Sequence, residues 1–333
     1  MDFPSETVAY RAARAGAAVF DRSARGRLLA AGRDRRSYLQ GLVTNDIAAL
    51  DPGRGCYAAY LAPQGRMIAD LLVYELGDAI LISTVQSAKD VVFERLDKFI
   101  FEEDVRLTDI TSTEAQIAIV GPGAAALLAP LASVEHGALD DLPEHGCRRL
   151  TYADGPAIVT RITDMGVAGF DVYVPAVQGL PLRESLMDAG AALLSAADVE
   201  TLRVEAGIPL FGRDMDEETI PLEAGIENRA ISFTKGCYVG QEVIVRVLHR
   251  GQGRVARRLV GLRVDAQAPP AIGTAVHADG REVGVVTSSV LSPLARAPIA
   301  LAYLPRELAD ARAPVTIDGT AAAVIDLPVA AGA

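Results

Sequence analysis

Residues 233–250 read FTKGCYVGQEVIVRVLHR, and the rest of the chain is organised around this stretch. Gly236 and Gly240 mark points where the backbone must turn or come close to a neighbour, because glycine has no Cβ. The apolar pattern of residues 242–248 is compatible with an alternating strand or with a helix. The stretch therefore predicts a glycine loop that leads into a regular element.

Lys235 stands out against the composition of the chain. The chain has three lysines, Lys89, Lys98 and Lys235, and nearly all its other positive charge is arginine. A lysine inside a glycine loop then suggests that a compact, flexible ammonium is needed there. The alternative is that Lys235 lies in this loop by chance and has no special role.

Length and charge limit the classes of protein to which the chain can belong. A chain of 333 residues is long enough for two or three domains with a large core. Its net charge of −11 argues against a general nucleic-acid binder, which normally carries a basic face. We therefore expect no direct contact with nucleic acid.

Cysteine usage and hydropathy indicate the compartment. Cys56, Cys147 and Cys237 lie far apart in the sequence without a CxxC pair, so neither a disulfide framework nor a local metal site is predicted. The first residues lack the apolar core of a secretory signal. The apolar run 115–134 is broken by Gly-Pro-Gly and by Pro130. We expect a cytoplasmic protein, with no membrane partner, that exists as a monomer.

The same local plan occurs twice in the first half of the chain. Residues 27–43 and 116–131 each predict a strand, a glycine and a helix, with Gly32 aligned on Gly121. This predicts two related α+β units in tandem. Other predicted elements are strands at 55–62, 67–75, 79–84, 105–110, 148–152, 157–161 and 170–174, and helices at 87–101, 182–194 and 199–206, the last capped by Asp198.

The chain changes character from about residue 260. Short strands follow one another closely, and Asp279-Gly280 and Asp318-Gly319 are typical hairpin turns. This pattern predicts a small all-β barrel or sandwich. The predicted domains are therefore residues 1–112, residues 113–250 with the KGCYVGQE motif, and residues 251–333.

Three stretches carry a family resemblance. Residues 38–74, 203–223 and 272–293 resemble the folate-binding aminomethyltransferases of glycine cleavage. The motif KGCYVGQE, residues 235–242, is similar to the form found in YgfZ-type folate-binding proteins, whose mitochondrial relatives assist iron–sulfur cluster assembly. Aminomethyltransferases typically carry K-x-D-F-x-G-x-E there.

The resemblance implies a fold and a ligand site. It implies two α+β domains and a C-terminal barrel in a three-lobed ring around tetrahydrofolate or a one-carbon derivative. Glu205 would accept the paired donors of the pterin, as carboxylates do in bidentate pairs. Tyr57 and Tyr74 would border the folate with flat rings and polar tips. The remaining folate contacts are assigned to the two arginines after the motif, Arg246 and Arg250.

Asp70, Cys237 and Lys235 are the candidate catalytic residues. Asp70 lies where aminomethyltransferases keep an acting aspartate, but the expected asparagine near 79–84 is replaced by Ser83 and Thr84. Lys235 could lower the pKa of Cys237 and expose a thiolate. That thiolate could bind iron, exchange disulfides or take a one-carbon unit, although free cysteine is more often a buried packing residue.

Three functions remain open at this level. The first is a tetrahydrofolate-binding factor that supports assembly or repair of iron–sulfur enzymes, and through them tRNA modification. The second is a folate-dependent aminomethyltransferase or demethylase. The third is a folate-binding scaffold whose barrel docks a partner protein. Expected partners are a folate and iron–sulfur proteins or their assembly factors, with no resident metal.

Overall fold

The computed structural model describes residues 6–132, 134, 137–249 and 254–330. The strands are β1 Ala18–Asp21, β2 Gly26–Ala31, β3 Arg54–Leu61, β4 Met67–Glu75, β5 Ala79–Thr84, β6 Arg106–Asp109, β7 Glu114–Val120, β8 Cys147–Tyr152, β9 Gly155–Ile162, β10 Gly169–Pro175, β11 Ala192–Leu193, β12 Arg257–Val264, β13 Ala275–Ala278, β14 Arg281–Ser292, β15 Ala297–Pro305, β16 Val315–Ile317 and β17 Thr320–Ile325. The helices are α1 Val8–Ala15, α2 Arg35–Gln40, α3 Gln86–Asp97, α4 Ala124–Leu131, α5 Gly137–Asp140, α6 Gly179–Asp188, α7 Ala196–Glu205, α8 Glu227–Ala230, α9 Gln241–His249 and α10 Arg306–Ala311, with a 3₁₀ turn at Ala176–Gln178.

The strands form two open sheets and one closed barrel. The first sheet has the order β3-β4-β5-β2-β6, and the second has the order β11-β1-β7-β10-β9-β8. The barrel closes in the order β12-β15-β14-β13-β16-β17. Closure removes the exposed strand edges that an open sheet of this size would leave. The predicted combination of α+β domains with a C-terminal all-β barrel is confirmed.

Strand β1 crosses from the start of the chain into the second sheet. It pairs antiparallel with β7 and parallel with β11. The predicted first unit, residues 1–112, thus sends its first strand into the sheet of the second unit.

The motif stretch lies against the first sheet rather than the second. Tyr238 and Ile244 are buried in the hydrophobic core that β3, β4 and β5 supply. Gly240 has φ +83°, and a Cβ there would lie 2.6 Å from the carbonyl oxygen of Ala62. Residues 242–248, for which the sequence left strand and helix open, lie within helix α9.

The two strand–glycine–helix units have matching glycines. Gly32 follows β2 with φ +113°, and Gly121 follows β7 with φ +107°. Both values are in a region that side chains with a Cβ rarely adopt. A Cβ would also meet backbone, 1.9 Å from the Asp104 oxygen at Gly32 and 2.5 Å from the Gly16 oxygen at Gly121. Because neither glycine has a Cβ, the turn between strand and helix in each unit packs directly against a neighbouring backbone segment.

Two helix ends differ from the prediction. Helix α7 begins earlier than expected, because Ser195 is its N-cap and Asp198 is the third helical residue of a capping box. The side chain of Ser195 accepts from the Asp198 N–H, and the Asp198 carboxylate accepts from the Ser195 N–H. Helix α6 ends at Asp188, before Gly190 turns the chain with φ +110°.

Both predicted hairpin turns of the barrel are confirmed. Asp279-Gly280 has φ values of +50° and +74°, and Asp318-Gly319 has +49° and +73°. Two successive positive φ angles are the requirement of a type I′ turn. Among the residues that the structure describes, no helix is both long and apolar enough to cross a membrane.

We predict that Gly32→Ala destabilises the fold far more than Gly225→Ala. Gly225 also has a positive φ, +71°, but a Cβ there meets nothing within 4 Å, so its replacement carries only the backbone strain. Gly32→Ala adds a backbone clash, so the difference in unfolding free energy should be about 2 kcal/mol or more. Chemical denaturation of the two variants measures it. Equal losses would contradict the packing role of Gly32.

Candidate functional site

A polar cleft lies where the two sheets face each other. Tyr57 and Asp70 reach it from β3 and β4, and Asp164 reaches it from the loop after β9. Arg25 and Arg229 complete its polar wall. Arg203 and residues 208–210 also line it. The cavity volume is about 50 Å³, which is room for only a few water molecules.

Asp70 and Tyr57 form the hydrogen-bonded centre of the cleft. The Tyr57 hydroxyl donates to Asp70 Oδ2 at 3.0 Å, and both side chains are largely withdrawn from water. Burial raises the pKa of Asp70 above its ordinary value, although Arg25 and the Tyr57 hydroxyl act in the opposite direction. Asp70 Oδ1 is buried and has no partner in the described part of the chain. That oxygen is therefore the free proton-accepting or proton-donating atom of the pair.

Asp164 is a second carboxylate in the cleft, and the sequence analysis missed it. Arg22 donates to both of its oxygens, from Nη1 at 3.0 Å and from Nη2 at 2.5 Å. Burial alone would raise the pKa of Asp164, but the charge and hydrogen bonds of Arg22 lower it to about 2. Asp171 accepts from the same guanidinium at 3.0 Å. No local motif marks Asp164, because its partner Arg22 lies 142 residues earlier in the chain.

Arg25 reaches the end of β5, the strand near which the resemblance predicts an asparagine. Its Nε donates to the Ser83 hydroxyl at 3.0 Å. Thr84 is not free for a ligand, since its hydroxyl donates to the Asp70 carbonyl at 2.9 Å. Where an asparagine amide was expected, Ser83 therefore supplies a hydroxyl, and this hydroxyl accepts a hydrogen bond from Arg25.

The predicted tyrosines separate into one cleft residue and one deeper residue. Tyr57 lines the cleft, and the Arg229 guanidinium lies 5.4 Å from the centre of its ring. Tyr74 is fully buried and is absent from the residues lining the cleft. Because Asp70 and Tyr74 are four residues apart on β4, they project from the same face of the sheet. Tyr74 therefore lies beneath the site, between the two sheets.

Glu205 does not line this cleft, and its pterin contact stays a prediction. Its carboxylate accepts from the Tyr10 hydroxyl and the Ser292 hydroxyl, each at 2.5 Å, and from the Leu294 N–H at 3.3 Å. Arg14 forms a salt bridge with the same group. Both oxygens are occupied by donors of this chain, so Glu205 joins α1 and α7 to the barrel.

Lys235 is held by three backbone carbonyls, and its catalytic role stays a prediction. Its ammonium donates to the carbonyl oxygens of Gln40 and Val43 at 2.7 Å and of Asn45 at 2.8 Å. Burial lowers its pKa to about 8. The three donors of the ammonium are matched by three acceptors, and no described hydrogen bond joins Lys235 to Cys237. The prediction that this lysine activates the thiol is not supported by the geometry.

The remaining predicted site residues lie away from the cleft. Cys237 is exposed on the motif loop, whereas Cys56 and Cys147 are buried. Arg246 is exposed on α9 and does not line the cleft. Arg250 is outside the described residues. The described residues contain no group of three or more His, Cys, Asp or Glu side chains that could hold a metal.

The polar groups of the cleft suit a pterin, but its volume requires movement. A pterin presents adjacent N–H donors and a carbonyl acceptor, and the cleft offers carboxylates together with arginines. Arg229 forms one wall, and its ion pair with Glu144 is long, at 3.7 Å. A half-exposed side chain with so long an ion pair can be displaced at small cost, because exposed ion pairs contribute little stability.

Two open sheets with a polar cleft, followed by a C-terminal barrel, define a class of multidomain α+β proteins, and comparisons identify its family. Residues 3–235 match the GCVT N-terminal domain, and residues 257–329 match the glycine cleavage T-protein C-terminal barrel domain. The chain therefore belongs to the glycine cleavage T-protein, or aminomethyltransferase, family. This family uses tetrahydrofolate.

Individual relatives agree with that placement. An aminomethyltransferase from Nostoc sp. is 33% identical over 96% of this chain and 85% of its own length. One from Geobacillus kaustophilus is 33% identical over 96% of this chain and 87% of its own length. The crystal structure of glycine cleavage system aminomethyltransferase T from Bartonella henselae matches with a TM-score of 0.87 at 24% identity, covering 97% of this chain and 89% of that one. The last likeness concerns the fold alone. The narrower YgfZ-type assignment stays a prediction.

We predict that Lys235→Met lowers the free energy of unfolding by about 2–4 kcal/mol, because three backbone carbonyls lose a charged donor. Lys98→Met is the matched control, since Lys98 is exposed at the end of α3. Urea unfolding of both variants gives the comparison. A loss no larger than that of the control would show that the three hydrogen bonds contribute little.

We also predict that Cys237 is alkylated before the other two cysteines in the folded protein. Burial raises the pKa of Cys56 to about 12 and that of Cys147 to about 11, so neither supplies thiolate near neutral pH. Mass spectrometry after graded iodoacetamide treatment orders the three sites. Labelling of Cys56 or Cys147 ahead of Cys237 would refute the described burial.

Proposed function

We propose that this chain binds a reduced folate in the cleft and catalyses tetrahydrofolate-dependent one-carbon transfer of the aminomethyltransferase kind. The observation that carries the proposal is the placement of Asp70, buried in the cleft with one oxygen held by Tyr57 and the other free. The relatives reported above are named aminomethyltransferases, which supports the same chemistry.

The residues of the cleft have separable tasks under this proposal. Tetrahydrofolate would supply the ring nitrogen that receives the one-carbon unit. Asp70 would hold or release a proton at Oδ1, a task that suits a carboxyl whose pKa is raised by burial. The Tyr57 hydroxyl fixes the orientation of the Asp70 carboxyl group. Arg229 covers the Tyr57 ring and limits access of water to the pair.

A second candidate is support of iron–sulfur enzymes, and through them of tRNA modification. The specific observation is the motif itself, since KGCYVGQE places an exposed thiol where aminomethyltransferases carry none. The Ser83–Arg25 contact at the expected asparagine also departs from the transferase pattern. A single thiol cannot hold a cluster alone, so this role would need a ligand from a partner.

The transfer function is tested by assaying release of tetrahydrofolate-bound one-carbon units from an aminomethylated lipoyl carrier protein. Wild type should be active, and Asp70→Asn should lose about 100-fold or more of the rate, because an amide cannot transfer the proton. Asp265→Asn, on the exposed surface of the barrel, is the control and should keep the rate. An inactive wild type, or an active Asp70→Asn, would rule out this proposal.

The second candidate is tested in a strain that lacks the chain. Reduced activity of iron–sulfur enzymes, restored by wild type but not by Cys237→Ser, would support it. Normal activity of those enzymes in the deletion strain would remove it. The two experiments are independent, because one measures transfer by the purified protein and the other measures enzymes elsewhere in the cell.

A further inference from the structure

We propose that a second cavity between the two sheets binds a linear ω-amino carboxylate, a molecule with a carboxylate and an ammonium at opposite ends of a short hydrocarbon chain. This cavity shares no lining residue with the polar cleft. Its volume is about 270 Å³, against about 50 Å³ for the cleft. The inference is independent of the proposed function.

The walls of the second cavity are mainly hydrocarbon from both sheets. Leu29 and Leu81 are paired in register on β2 and β5, and they supply the wall from the first sheet. Ile158 and Tyr173 are paired in register on β9 and β10, and they supply the wall from the second sheet. Removing apolar surface from water is favourable, so these walls suit a ligand with a hydrocarbon body.

A positive and a negative side chain lie at opposite ends of the second-sheet wall. Arg149 is the register partner of Ile158, and Ile158 is that of Tyr173, so the three residues form one row. Glu114 is three strands away from Arg149, on β7. Its register partner, Pro175, is two residues beyond Tyr173 and therefore on the same face. Strand spacing and rise place the Arg149 and Glu114 backbones about 16 Å apart, with the apolar wall between them.

Glu114 is a charged group that the fold leaves without a direct partner. Its half-buried carboxylate has no hydrogen bond or ion pair within the described residues. Burial raises the pKa of Glu114, and the charge of Arg27 opposes that rise without an ion pair between the two groups. Arg27 donates instead to the carbonyl oxygens of Arg25 at 2.8 Å and Ser23 at 3.0 Å. A ligand ammonium beside Glu114 would compensate a carboxylate that has lost part of its hydration.

Arg149 is available at the other end of the wall. It forms an ion pair with Asp78, but the two side chains are 54% and 73% exposed. An ion pair so exposed contributes little stability, so exchanging it for a ligand carboxylate costs little. The guanidinium can then hold that carboxylate with two parallel hydrogen bonds. Because hydrocarbon separates the two charges of the cavity, they match an ω-amino carboxylate better than an α-amino acid, whose charges share one carbon.

The first test compares ligands on the wild-type protein by calorimetric titration and needs no variant. ε-Aminocaproate is the probe, and caproate and hexylamine each keep the chain but lack one charge. ε-Aminocaproate should bind about 10-fold or more tightly than either, because each partial ligand leaves one charge-assisted hydrogen bond unmade. Leucine, which carries both charges on one carbon, should bind more weakly than ε-aminocaproate.

The second test assigns each end of the ligand to a residue. Glu114→Gln should bind ε-aminocaproate no better than caproate, and Arg149→Gln should bind it no better than hexylamine. Glu184→Gln and Arg148→Gln are the matched controls, since both side chains are exposed and neither lines the cavity. The controls should stay within about 3-fold of wild type. Circular dichroism melts of all four variants confirm that they are folded.

Four results would overturn the inference. The first is no binding of ε-aminocaproate to wild type at millimolar concentrations. The second is equal binding of caproate or hexylamine, which would mean that the charged ends are not recognised. The third is tighter binding of leucine, and the fourth is an unchanged preference in both cavity variants, which would place the ligand elsewhere. None of these ligands is a folate, so the results leave the proposed function untouched.

Discussion

The ammonium of Lys235 holds together the part of the molecule on which the cleft depends. Its three hydrogen bonds fix the carbonyls of residues 40–45. Within that segment, the Asn45 side chain donates to the Tyr57 carbonyl at 2.8 Å and to the Arg229 carbonyl at 3.1 Å. The lysine therefore supports two walls of the cleft through one intermediate residue, without touching the ligand space. A motif that resembles a catalytic loop in sequence acts here as the support behind the site.

The cleft contains two carboxylates, and their surroundings shift the two pKa values in opposite directions. Asp70 lies among apolar strands with a single hydroxyl donor, and burial raises its pKa. Asp164 faces the Arg22 guanidinium, which lowers its pKa to about 2. Surroundings that shift the pKa values of two neighbouring acids in opposite directions suit them to different chemical tasks.

The sequence predicted those features that depend on neighbouring residues. The strands of both sheets except β1 and β11, the two strand–glycine–helix units around Gly32 and Gly121 and the two barrel hairpins all follow from local patterns. Partners that are distant in the chain could not be predicted. Lys235 was assigned a catalytic role and Glu205 a pterin contact by type and motif, and neither assignment indicated the hydrogen-bond partners from residues 40–45 or from α1 and the barrel. Asp164 was missed for the same reason, since nothing near it in sequence announces Arg22.

The place of β1 in the second sheet has a consequence for the order of events during translation. This strand leaves the ribosome early, but its neighbours β7 and β11 end only at Val120 and Leu193. At usual synthesis rates the strand waits on the order of ten seconds for the last of them. Until β7 has been made, its apolar residues, including the fully buried Val19, have no partner strand. The nascent chain is therefore most exposed to aggregation between the synthesis of β1 and that of β7, and chaperone contact at β1 would protect it.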